Sequence, residues 1–156
     1  MSLVPPWTAE MAHKKVKAAQ KLWNTKDPDQ VVPAYTPDTI WRNRDVFLKG
    51  SEEVRSFLRK KWAKEQHYRL KKELFAFDDS RIAVQFWYEY CPDPEHAAHQ
   101  WKRCYGIEHW SFTDKGFMWK RQMSGNEIDI TTEQRWFKDD LTEEDIDNLQ
   151  LGDEHH

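Results

Sequence analysis

Hydrophobic and polar residues alternate with a period of two across residues 81–90, Arg-Ile-Ala-Val-Gln-Phe-Trp-Tyr-Glu-Tyr. Ile82, Val84, Phe86, Tyr88 and Tyr90 fall on one side, and Ala83, Gln85, Trp87 and Glu89 on the other. Alternation in β-branched and aromatic residues predicts a strand with one core-facing side. Trp87 on the second side predicts that this side is not fully solvated either. Strand patterns flank it, at 68–77 before and at 100–112 and 117–124 after, which makes it central. Turns at 78–80 and 113–116 join the four into hairpins.

Ahead of these strands the period is helical. Thr8 is placed to cap a helix in which Ala9, Ala12, Val16, Ala19 and Trp23 share a face, with lysines between them, ending near Asn24-Thr25. Asp27-Pro28 opens a short second helix over 28–35, where Pro33 predicts a kink or a 3₁₀ turn. A short strand follows at 39–44, then an irregular turn at 45–50. Ser51 caps a third helix whose apolar stripe is Val54, Phe57, Leu58 and Trp62. Residues 131–137 add a closing helical turn. Helices segregated from strands predict an α+β fold, with N-terminal helices packed on one face of an antiparallel sheet.

The turns also predict registers. A four-residue loop at 113–116, with Gly116 at positive φ, sets Phe112 opposite Phe117, Trp110 opposite Trp119, Glu108 opposite Arg121 and Gly106 opposite Met123. The turn at 78–81 sets Phe77 beside Ile82, Phe75 beside Val84 and Glu73 beside Phe86. The helix-facing side then carries Phe75, Phe77, Ile82, Val84, Phe86, Tyr88, Trp110, Phe112, Phe117 and Trp119, with Glu108 and Arg121 among them. The opposite side shows Leu70, Leu74, Trp87, Trp101, Tyr105 and Ile107. Large apolar groups on a second sheet face mark an interface, and a homodimer through Leu74, Trp87 and Tyr105 is the expectation.

Composition sharpens the core and the C-terminus. At 156 residues the chain is expected to form one domain, over 1–137. Aromatics make up 14% with nine Trp, so the core is built from large flat side chains. From Lys138 onward eight acids meet one lysine, a charge of −7, so the net −3 leaves the body at +4. The acidic tail over 138–156 reads as a weak helix or as disordered. A body so mildly basic lacks the electrostatic footprint of a nucleic-acid binder. Two Cys and no signal-peptide pattern point to a reducing, cytoplasmic setting, and no apolar run is long enough to span a bilayer. His155-His156 reads as the remnant of a tag.

Several groups carry possible chemistry. Glu108 and Arg121 are the sharpest pair. Desolvation among Trp and Phe raises a carboxyl pKa, while a guanidinium lowers it. The pair reads as a structural bridge, as an anion or hydroxyl site, or as an acid/base centre. Trp41 and Asn43 share one face of their strand, and Arg42 and Arg44 the other. Lys60, Lys61 and Lys64 read as a solvated helix end favoured by the helix dipole. Cys91, His96, His99 and Cys104 are zinc-competent types, but their spacing is not that of a structural zinc site. His67 and His109 are isolated. No Gly-rich phosphate loop is present, and no metal or cofactor is expected.

Ala34-Tyr35, Trp-Arg-Asn-Arg at 41–44, Lys-Trp-Ala at 61–63, Arg-Ile-Ala-Val at 81–84 and Tyr105-Gly106-x-Glu108-x-Trp110-x-Phe112 form a set. On these residues and the element order, the chain resembles an uncharacterised bacterial family within the SnoaL-like, or nuclear transport factor 2-like, superfamily, over about 8–135. It departs from that pattern at Ile107, in the loop from 91 to 99 and at 124–127. The resemblance implies a cone-shaped fold, similar to ketosteroid isomerase, scytalone dehydratase and polyketide cyclases. The acid–base residues of ketosteroid isomerase have no matching motif here. Bulky aromatics on a curved sheet leave a concave space beneath only three helices. The expected site is a mostly apolar cavity lined by Trp41, Phe57, Trp62, Phe86 and Tyr88, with Asn43, Glu108 and Arg121 as its polar groups. Its occupant would be a small, largely apolar molecule, bound or turned over by acid/base chemistry of the isomerase, dehydratase or cyclase kind. A non-catalytic homodimeric binding or interaction module is the alternative.

Overall fold

The computed structural model describes residues 3–92, 95 and 100–151. Thr8 accepts the Met11 N–H at 3.2 Å and opens α1 (Ala9–Asn24), whose inner side buries Ala12, Val16, Gln20 and Trp23. Asp27 caps α2 (Pro28–Val31), and a 3₁₀ turn over Val32–Ala34 accommodates Pro33. β1 (Tyr35–Asn43) is longer than expected, and the stretch read as irregular forms β2 (Val46–Lys49). Arg44 makes that hairpin by taking a left-handed φ of 57°. The cap of α3 (Ser51–Lys64) falls on Gly50, at φ 86°, rather than on Ser51. Four long strands follow, β3 (Gln66–Phe77), β4 (Arg81–Cys91), β5 (Trp101–Phe112) and β6 (Met118–Ile130), and then α4 (Glu143–Asp147).

The strands form one sheet in the order β2-β1-β6-β5-β4-β3. Every pairing is antiparallel except β1 with β6. No hairpin joins those two strands, so no turn dictates their relative direction. The core lies between this sheet and α1 and α3, around Trp23, Trp41, Leu58, Trp62, Phe86 and Trp110.

Two bulges decide which residues reach that core. In β3, Leu74 pairs with Val84 and Ala76 with Ala83, so Phe75 is an extra residue. The rest of β3 therefore changes side relative to the expected register. Leu70 and Leu74 face the helices, and so does Lys72, opposite Phe86. Glu73 pairs with Gln85, away from the core, and binds Lys17 and Lys71 at the edge. Phe75, expected inside, is 76% exposed, and Phe77, at the hairpin end, is exposed as well. In β6, Ser111 pairs with Lys120 and Phe112 with Met118, which makes Trp119 the extra residue. Met118 takes the inner place, and Phe117 and Trp119 are left exposed.

Phe86 pairs with Gly106, and only glycine fits there: a Cβ would lie 1.9 Å from the Phe86 ring. The ring can lie flat across β5 because that position has no side chain.

The outer face is strapped by the chain's own residues 134–151. Glu89, fully buried, accepts the N–H groups of Trp136 at 3.1 Å and Phe137 at 2.9 Å and is held by Arg103 Nε at 2.8 Å. Lys71 donates to the Ile146 and Asp147 carbonyls at the end of α4, where the helix dipole favours a cation. Phe137 and Ile146 cover Trp87. The dimer patch expected at Leu74, Trp87 and Tyr105 is therefore broken up, since Leu74 faces the helices and Trp87 lies under this chain's own tail. The expected helical turn over 131–137 is a tight turn, in which Gln134 N–H reaches the Thr131 carbonyl at 3.1 Å.

Candidate functional site

Glu108 is the centre of a charged cluster on the helix-facing side of the sheet. Its Oε1 accepts a short hydrogen bond from Lys72 Nζ. Its Oε2 accepts from Arg121 Nε at 2.6 Å and from Trp110 Nε1 at 3.2 Å. Arg121 Nη1 donates to Asn43 Oδ1 at 3.2 Å. All four polar residues are buried, with Lys72 and Arg121 each only 2% exposed. Arg121 stands opposite Trp110 and Glu108 opposite Met123, so the ion pair is diagonal rather than direct. The expected register was two residues off, which preserves the side on which each residue lies, and the pair forms.

Aromatic rings enclose the charges. The Arg121 guanidinium lies 4.4 Å from the Trp41 ring and 4.9 Å from Trp23. Lys72 Nζ lies 5.0 Å from Phe86, 5.2 Å from Trp23 and 5.4 Å from Trp110. Ring faces are negative, so they offset part of the desolvation of both cations. Phe86 stacks on Tyr88, Phe57 meets Trp41 edge-on, and Trp62 joins through Trp23. The eight expected residues, Trp41, Asn43, Phe57, Trp62, Phe86, Tyr88, Glu108 and Arg121, are thus gathered on one side of the sheet.

Four partners were missed. Lys72 was hidden by the Phe75 bulge. The alternation Tyr68, Leu70, Lys72, Leu74 is the signal that places it among core residues. Trp23 was read only as helix packing. Lys61, expected in solvent, is largely buried, donates to Glu65 at 2.8 Å and lies 4.2 Å from the Tyr88 ring. Arg44, expected on the outer side with Arg42, turns through its left-handed backbone to reach Tyr88 Oη at 3.3 Å, Cys104 Sγ at 3.2 Å and Glu127 at 3.1 Å. Trp41 is buried and offers no free face for stacking a base. Cys104 lies in the core and Cys91 in a separate cluster with Trp101 and Ile130, while His96 and His99 fall outside the described residues.

Burial alone would raise the Glu108 pKa, but Lys72 and Arg121 outweigh it and hold the carboxyl down at about 2. Burial lowers Lys72 to about 8, against the opposing pull of Glu108. The cluster at neutral pH is therefore one carboxylate between two cations, and the proton closest to exchange is the one on Lys72. Burial pushes the Cys104 thiol up to about 11, which leaves it a poor nucleophile.

Little open space remains. A cavity of ≈ 10 Å³ lies among Trp23, Lys61, Tyr68, Lys72, Tyr88 and Arg121, about the volume one water needs. Beneath α1, a second cavity of ≈ 40 Å³ is lined by Ala19, Leu22, Tyr35, Trp110 and Phe112. Trp23 lines both.

Helices over a curved, mostly antiparallel sheet give the cone-shaped α+β fold that the sequence resemblance implies. Two solved structures carry it. The epoxide hydrolase/cyclase-like enzyme SalBIII, of pyran ring formation in polyether salinomycin, aligns with a TM-score of 0.63 at 15% identity, covering 72% of this chain and 88% of that one. The BvnE pinacolase from Penicillium brevicompactum aligns with a TM-score of 0.62 at 12% identity, covering 75% and 86%. Identities this low establish the fold alone. The chain itself belongs to the family described as Protein of unknown function (DUF1348), whose pattern matches residues 5–138. No curated protein matches it in sequence. No helix among the described residues is long and apolar enough to cross a membrane.

Proposed function

We propose that the cone binds a small molecule against the Lys72–Glu108–Arg121 cluster, and that Lys72 is its acid/base group. The observation that carries this reading is the cluster itself. Three charges are fully desolvated in an aromatic core that apolar residues of the same volume would stabilise as well or better. Glu108 is the group first assigned to acid/base work, but a carboxyl held near 2 gives up its proton too readily to serve as an acid at neutral pH. Lys72, near 8, is matched to proton transfer at neutrality. Glu108 would orient that ammonium and Asn43 would fix Arg121. The fold's occurrence in a cyclase-like enzyme and a pinacolase supports chemistry of the isomerase, dehydratase or cyclase kind.

The test is Glu108→Gln together with Lys72→Met, each assayed for binding of a hydrophobic fluorescent probe and for turnover of a substrate panel. Altered binding or lost turnover in both variants is the expected result. If both variants bind and turn over as before and only Glu108→Gln melts earlier, the cluster is structural.

A second reading is favoured by the small cavity and the outer face. Tyr105, Ile107 and Asn126 line an open groove beside the C-terminal strap, and Ile107 is 59% exposed. A homodimer through this groove would make the protein an interaction module. It would lie nearer β5 and β6 than the patch first expected.

A further inference from the structure

The hydrogen-bonding balance of the cone is one-sided. Both Glu108 oxygens are already engaged, Oε1 by Lys72 and Oε2 by Arg121 and Trp110. The donors exceed them. Arg121 Nη2 has no hydrogen-bond partner among the described residues, and Lys72 Nζ has one partner for its three protons. The Nε1 atoms of Trp41 and Trp62 are buried and unpartnered, and both rings pack on Trp23, at 5.9 and 5.7 Å. An unsatisfied buried donor is costly, and beside Glu108 the spare donors of Arg121 and Lys72, which line the same small cavity, call for an acceptor. Charge points the same way: two cations against one carboxylate leave a net +1 in a water-poor site. Glu65 neutralises Lys61 nearby and so does not cancel that excess.

Resting on the reading of the cone as a ligand site, we infer that its ligand is a small monocarboxylate with a compact apolar body. The carboxylate accepts from Arg121 Nη2 and Lys72 Nζ, giving charge-assisted bonds to groups that now lack partners. The body takes the apolar space beneath α1, among Ala19, Leu22, Tyr35 and Phe112, where the lining offers mainly carbon. Trp23 lines both spaces and swings aside for one molecule to occupy both. Its neighbours in the larger space include Ala18 and Ala19, the smallest residues α1 presents there.

The experiment compares paired probes that differ only in charge: hexanoate with hexanamide, and benzoate with benzamide. Thermal shift and calorimetry are run on the full chain, its Lys72→Met variant, and Glu108→Ala with and without formate. Lys72→Met leaves Glu108 with Arg121 and removes the excess charge. Glu108→Ala leaves two cations unpaired, and formate fits the vacated carboxylate position. We expect both acids to bind at least tenfold tighter than their amides, Lys72→Met to lose that preference, and formate to restore the melting temperature of Glu108→Ala. If amides and acids bind alike, and Trp23→Ala changes both, the carboxylate assignment fails while the cone remains a ligand site. If no probe binds the wild-type protein or Trp23→Ala, both readings fail. Should Glu108→Ala not fold, the wild-type acid–amide comparison decides alone.

Discussion

Lys72 and Glu108 both make stability rise with pH, in separate windows. Lys72 has a folded pKa near 8, below its ordinary 10.5. The unfolded chain therefore holds more protons between those values, and stability rises with pH from about 8 to about 10.5. Glu108, held near 2 rather than 4.5, contributes stability above about 4.5 that is lost as pH falls toward 2. Urea unfolding at pH 7, 8 and 9 checks the first effect: wild type should gain on Lys72→Met as pH rises, and parallel curves would refute it. The two substitutions should also differ in kind. Glu108→Gln strands two buried cations and should cost about 3–5 kcal/mol, whereas Lys72→Met keeps one balanced pair and should be close to neutral. Urea midpoints at pH 7 measure both. At this scale the sequence was partly legible. Glu108, Arg121, Asn43 and Trp41 could be placed because alternation gives the side on which each residue lies even when register slips by two. Lys72 could not, because one extra residue at Phe75 reverses the side of everything before it.

The long strands were legible as elements, and their bulges were not. A bulge leaves hydrophobic alternation intact on either side and changes only its phase, and Phe75 and Trp119 are themselves apolar, so neither looks like an interruption. β2 was missed for a related reason: its turn depends on Arg44 in a left-handed conformation, which an arginine does not announce as a glycine would. Gly106 was legible as part of a motif but not as the seat of the Phe86 ring. Gly106→Ala should therefore destabilise by about 1–3 kcal/mol through overpacking, and Phe86→Leu should recover part of that loss. Thermal unfolding of the single and double variants gives the coupling, and simple additivity would show that the ring is not the obstacle. The same contact anchors Phe86 beside Lys72, so Gly106→Ala should also weaken any ligand that Lys72 binds.

For the whole molecule, residues 138–151 of the acidic stretch are part of the fold. Gln20 and Asn24 of α1 bind Glu143, and Arg69 and Lys71 of β3 bind backbone carbonyls of the strap. Composition made this stretch look solvated because its acids outnumber its apolar residues. The few that matter, Phe137, Leu141 and Ile146, are spaced to meet Trp87 and its neighbours. Removing residues 138–156 should uncover Trp87 and increase self-association, while Ile107→Glu should keep the protein monomeric if the outer groove is a dimer surface. Sedimentation velocity on both variants and the wild type checks this, and an unchanged monomer in all three would exclude the groove. The parallel pairing of β1 with β6 has a different consequence, in time rather than in space. Tyr35 meets Met118 and Asn43 meets Met123, so the sheet is incomplete until β6, some eighty residues after β1, has been made. During synthesis the aromatic side of β1, with Trp41, has no strand partner except β2 while the central hairpins emerge. Such distant pairing is slow, and it leaves apolar surface open to other chains in the interval. A nascent chain of this protein should thus depend on holding factors until β6 leaves the ribosome, and refolding from denaturant should yield less native protein as concentration rises.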